Sequence, residues 1–224
     1  MNVALLKRLS LYAASVLVAL TLVGGFLHTK AGRPLLARLG VGCPVKASPA
    51  DVEAARRNSA RSQRGTEAVA SRPALGFALD SMTLADVKAW AAQKHVDCED
   101  VRAGYLRCVN VPTAALGQTG PNIDKLEFGF TIASERLVNV NAWRSGLSGR
   151  AAAAQMDSVI DGLRTQIGAP TTEAGDRSAK YLAAGHLHTA VASYRFKDYI
   201  ADVSATNIPG RGLMLREHYM SARD

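Results

Sequence analysis

Hydrophobic and polar positions divide the chain into one long apolar run, two helical stripes and a series of two-residue alternations. The run is Leu9 to Leu27, without a charged side chain. Its nineteen residues span roughly 28 Å as a helix, close to the hydrocarbon thickness of a bilayer. It predicts a membrane-spanning signal-anchor at 9–27. The run exceeds the 7–15 residues usual for the apolar core of a cleaved signal, which favours retention.

A first helix is predicted from Thr83, with Asp86 completing a capping box and Leu84, Val87 and Ala91 along one stripe beside Trp90. A second carries Met156, Val159, Ile160, Leu163 and Ile167 at helical spacing and stops at Gly168 and Pro170. Ser48 and Pro49 mark the start of a further, basic helix with Arg57, Arg61 and Arg64 on one face.

Alternation predicts strands through Leu126, Phe128, Phe130 and Ile132, then Val138, Val140 and Ala142. Further strands follow through Ala192, Tyr194 and Phe196, then Ala201, Val203 and Ala205, then Leu213 and Leu215. Half-buried antiparallel strands with capped helices predict an α+β fold, an antiparallel sheet with helices on one face. The order helix, Glu99 to Tyr105-Leu106, strands, then helix, Glu173 to Tyr181-Leu182, strands suggests two tandem αβββ units. The expected organisation is a basic flank at 1–8, the anchor at 9–27, a basic juxtamembrane segment and linker at 28–73, and an exported domain at 74–224.

Charge changes the picture only when it is followed along the chain. The total is +8, but residues 73–224 hold sixteen bases against sixteen acids, and the excess lies beside the anchor. The globular part is neutral, so no nucleic-acid partner is expected. Juxtamembrane arginines attract anionic headgroups, which makes Arg57, Arg61 and Arg64 candidates for a lipid or partner contact.

Basic residues on the two sides of the anchor nearly balance, so orientation rests on the cysteines. Cys98 and Cys108 flank a hairpin whose expected three-residue loop is Arg102-Ala103-Gly104. Folding about Ala103 sets Val101 against Tyr105, Glu99 against Arg107 and Cys98 against Cys108. Opposed cysteines can bridge, and such a bond persists in an oxidising compartment. The expected location is therefore a bacterial-type inner membrane, single pass, with the C-terminal domain in the periplasm or outside. Cys43 is left over, either as a free thiol or as an intermolecular link.

Catalytic motifs are missing: there is no nucleotide loop, zinc-protease helix or nucleophile elbow. His186 and His188 are the best metal candidates, since alternate strand positions point the same way, but no third ligand is identifiable. Asp198 and Asp202 are expected to share a strand face. Asp97, Glu99 and Asp100 read as a solvated acidic patch. Trp143-Arg144 and His218-Tyr219-Met220 read as exposed strand ends, and aromatics with arginine are favoured at interfaces. Trp143, Arg144 and Tyr219 are the candidate contacts. No catalytic residue, cofactor or metal is assigned.

The leading expectation is a non-enzymatic envelope protein that binds another envelope protein, with its oligomeric state open. The alternatives are an envelope hydrolase using His186 or His188, and a membrane-tethered binding domain facing the cytoplasm.

Overall fold

The computed structural model describes residues 48–223. The flank at 1–8, the anchor at 9–27 and Cys43 lie outside the described residues. Among the described residues, no helix is long and apolar enough to cross a membrane.

The fold is α+β, built on one antiparallel sheet of eight strands. After helix α1 (Pro49–Gln63), the first half runs α2 (Leu84–Gln93), β1 (Cys98–Arg102), β2 (Tyr105–Val111), β3 (Ile123–Phe130) and β4 (Leu137–Leu147). A 3₁₀ turn, Thr113–Leu116, joins β2 to β3. The second half runs α3 (Gly149–Ile167), β5 (Thr172–Ala174), α4 (Ala179–Ala184), β6 (Thr189–Arg195), β7 (Tyr199–Ile208) and β8 (Gly212–Ser221). The strand order is β1-β2-β3-β4-β8-β7-β6-β5, so the halves mirror each other and meet where β4 pairs with β8.

Each half contributes four strands, not the three expected. The hairpin arms β1 and β2 are separate strands, and β5 is a three-residue, fully exposed edge strand with no alternation to read. Tyr181-Leu182 is not the counterpart of Tyr105-Leu106. It lies in α4, which Ser178 opens by accepting the Tyr181 N–H.

The other helices follow their sequence signals. In α2 the Asp86 N–H donates to Thr83 Oγ1 at 3.2 Å while the Thr83 N–H donates to Asp86 Oδ2 at 2.8 Å, so two orphan donors at the helix start are satisfied. Val87 and Ala91 are buried, and Trp90 meets Phe77 and Phe128 edge-on with centroids 4.8 and 6.2 Å away. In α3, capped by Ser148, the stripe Ala152, Met156, Ile160 and Leu163 enters the core.

The β1–β2 hairpin has the expected cysteine register, and Cys98 and Cys108 form a disulfide. Its loop is shorter than expected: Arg102 pairs with Tyr105, and the ladder slips between Asp100 and Arg102. Val101 therefore bulges out instead of facing Tyr105, leaving Ala103 and Gly104 at the tip, with Gly104 at φ +68°.

Strand alternation gives the sheet two unlike faces. Leu106, Leu126, Phe128, Val140, Tyr194, Val203 and Leu215 join α2, α3 and α4 in the main core on the front. The back is polar and carries a small second cluster, in which Ala60 of α1 packs on Ile200, Met220 and Ala222. Arg56 anchors this contact by donating to the Ser221 carbonyl at 3.2 Å. The helices are thus not confined to one face, because α1 lies against the back. The stretch after α1 follows the β6–β7 turn, where Gly65 N–H donates to Phe196 O and Lys197 N–H to Glu67 O.

Candidate functional site

The paired central strands β4 and β8 bring the singled-out residues together, but on opposite faces. Val140, Ala142 and Arg144 share the front with Leu213, Leu215, Glu217 and Tyr219. Two charged residues therefore sit in inward positions. Arg144 is 0% exposed and Glu217 1%. Arg144 Nη1 pairs with Glu217 Oε1, its Nε donates to the Pro121 carbonyl at 3.1 Å, and the Tyr219 hydroxyl donates to Glu217 Oε2 at 2.6 Å. Burial, then the Glu217 charge, raise the Tyr219 phenol well above its ordinary range, so it stays a protonated donor. The trio is neutral as a unit. Arg144 Nη2 has no hydrogen-bond partner among the described residues.

Arg144 and Tyr219 are thus buried, which corrects the expectation of exposed contacts at these positions. The physical reason is phase: each falls in step with the apolar residues of its strand.

Above Glu217 and Tyr219 opens a cleft of about 640 Å³. One wall is the α3 surface carrying Gln155, Ser158, Val159 and Gly162; the other is the loop through Leu75, Gly76 and Phe77, and Gln118 closes one end. Leu75 (φ +58°) and Gly76 (φ +87°) are both left-handed. For a bulky residue such as Leu75 that conformation is uncommon and stores strain.

The back face centres on Trp143. Its cross-strand neighbours are Lys125 on β3 and Arg216 on β8, each with its cation 4.8 Å from the indole centroid. Arg216 is held in place by Asn141 Oδ1, which accepts from its Nε at 3.1 Å and its Nη2 at 2.8 Å. On one side, Glu127 is 3.2 Å from Arg107 and 3.3 Å from Lys125. On the other, Asp202 accepts from Ser193 at 2.7 Å and Arg195 at 2.6 Å. Burial pushes the Asp202 carboxyl up, but the polar contacts of His218, Arg195 and Ser193 outweigh it and hold the group well below the carboxylate range. His218 Nδ1 stands 3.7 Å from Asp202 Oδ2. The indole N–H of Trp143 finds no acceptor among the described residues.

The remaining candidates fall elsewhere. Arg57 and Arg61 are exposed on α1, and Arg64 follows its last turn. His186 and His188 lie in the turn after α4 instead of a strand, so the shared-direction argument for a metal fails. The His188 ring stacks on Tyr181 at 4.4 Å, and its Nδ1 is 2.7 Å from the Tyr181 carbonyl. Among the described residues no group of three metal-ligating side chains converges. Asp198 lies in the β6–β7 turn, where it accepts the Val69 N–H, and shares no strand face with Asp202. Asp100 pairs with Lys88 and Glu99 with Arg107.

Sequence reasoning missed Glu217, Gln155, Lys125 and Arg216. Phase alone marks Glu217, an acid in step with Leu215 and Tyr219. Nothing local marks Gln155, which lines a cleft built from segments distant in sequence. No protein-family model, curated protein or solved structure matches this chain.

Proposed function

We propose that this is a single-pass inner-membrane protein of bacterial type. Residues 9–27 anchor it, and its α+β domain works on the oxidising side as a non-enzymatic module that docks on another envelope protein. The observation that carries the docking is Trp143, half-buried on the back face between Lys125 and Arg216. An indole between two fixed cations is the anchor an interface uses, and flanking cations suit a partner surface bearing carboxylates. The disulfide supports the compartment. Binding is favoured over catalysis because the buried carboxylates are engaged: both oxygens of Glu217 are taken by Arg144 and Tyr219, and Asp202 is held by Arg195 and Ser193. Two four-stranded halves joined at β4–β8 supply a sheet wide enough to present such a surface.

Photo-crosslinking tests the docking. A photoreactive residue replacing Val109, exposed on the same face, is expected to capture one envelope protein from intact cells. Trp143→Ala should reduce capture about 30-fold or more, the effect of losing an anchor of at least 2 kcal/mol. Capture that survives Trp143→Ala unchanged, or no adduct at all, contradicts the reading.

A further inference from the structure

The cations of the back face differ in how their charge is met. Arg107 has Glu99 at 3.6 Å and Glu127 at 3.2 Å, Lys125 has Glu127 at 3.3 Å, and Arg195 has Asp202 at 2.6 Å. Arg216 pairs with no carboxylate among the described residues. It is half-buried on a central strand, and its cross-strand neighbours, Trp143 and Ser204, are uncharged. A guanidinium does not give up its proton, so the charge persists, met only by the Asn141 amide and the Trp143 ring.

The side chain is also aimed. A guanidinium offers two forks of parallel N–H groups, one from Nε with an Nη and one from the two Nη atoms. Asn141 Oδ1 fills the first, accepting from Nε at 3.1 Å and Nη2 at 2.8 Å. Asn141 is itself 6% exposed and donates to Asn139 Oδ1 at 3.3 Å, which holds it in place. The second fork meets no acceptor among the described residues. The buried side-chain nitrogens without a partner there are Trp143 Nε1 and Arg144 Nη2, so Nη1 of Arg216 is within reach of solvent. Two parallel donors on a fixed cation match the two oxygens of a carboxylate. Lys125 differs on both counts: Glu127 already meets its charge, and an ammonium has no fork.

We propose that the docking partner seats one aspartate or glutamate carboxylate on the two Nη atoms of Arg216, with Asn141 as the residue that positions them. This rests on the docking reading above and names its decisive polar contact.

The test uses the adduct formed in intact cells by the photoreactive residue replacing Val109. Arg216→Gln should lower capture about tenfold, the effect of losing a charge pair at an interface. Arg216→Lys keeps the charge but loses the fork, and should lower capture about fivefold. This variant is the mildest change and carries the test if Arg216→Gln proves unstable on thermal unfolding. Arg216→Glu should abolish capture, and lysine in place of one acid of the captured protein, near its crosslinked peptide, should restore it. Restoration by charge exchange is a result that a merely structural role for Arg216 would not give. Capture that depends on Trp143 but is unchanged in Arg216→Gln and Arg216→Lys overturns the inference and leaves the docking reading standing. So does a search of the partner's acids in which none restores Arg216→Glu. An adduct that never forms, or that ignores Trp143→Ala, overturns both.

Discussion

Glu217→Leu is expected to lower stability by about 3–5 kcal/mol, because it leaves the Arg144 guanidinium charged, buried and without its carboxylate. The Tyr219 hydroxyl loses its acceptor in the same step. For a domain of this size each kcal/mol moves the melting temperature by about 2–4 °C, so thermal unfolding followed by circular dichroism should shift down by roughly 6–20 °C. The informative partner is the double variant Arg144→Met with Glu217→Leu. It removes both charges and replaces them with apolar side chains, and most of the lost stability should return. Such recovery would show that the pair is not retained for stability. A single variant that melts within a degree or two of the native protein would mean that the pair is not buried as described.

The second large effect concerns the hairpin. Cys98→Ala with Cys108→Ala should lower stability by about 3 kcal/mol, the loop-closure contribution of a cross-link spanning ten residues. Cys108 is fully buried, so its truncation also removes packing against the core. The loss should be uneven. β1 is an edge strand paired only with β2, and without the bridge it is held by one ladder and surface ion pairs such as Lys88 with Asp100. Amide exchange should accelerate first in β1 and least in the central strands β4 and β8. Uniform acceleration across the sheet, or none in β1, would contradict this.

How much of this was legible depended on whether a signal was local. The Thr83 cap, the stripe from Met156 to Leu163 and the alternation around Phe128 are written within a few residues, and the structure uses them as expected. The cysteine register was equally readable, because pairing in a hairpin follows from its centre. The bulge at Val101 was not, since a shortened loop compensated by a slipped residue preserves the register beyond it. α4 and β5 are short and weakly patterned, and Tyr181-Leu182 resembled a strand only by analogy with Tyr105-Leu106. The docking of α1 escaped notice because a mostly polar helix is held by one small residue, Ala60, and by Arg56. At the site, the phase of Arg144 and Glu217 on their strands did encode a buried charge pair. Reading those residues as exposed strand ends ignored the alternation that placed Val140 and Leu215 inside. The cleft had no such signature, because α3, β8 and two loops build it jointly.

The most direct test of the proposed location and architecture is the thiol state of the full chain in growing cells. Cells quenched in acid and labelled with a maleimide polymer should show two of the three cysteines protected, becoming reactive only after a reductant is added. Immediate reaction of all three would place the domain in a reducing compartment and contradict its export.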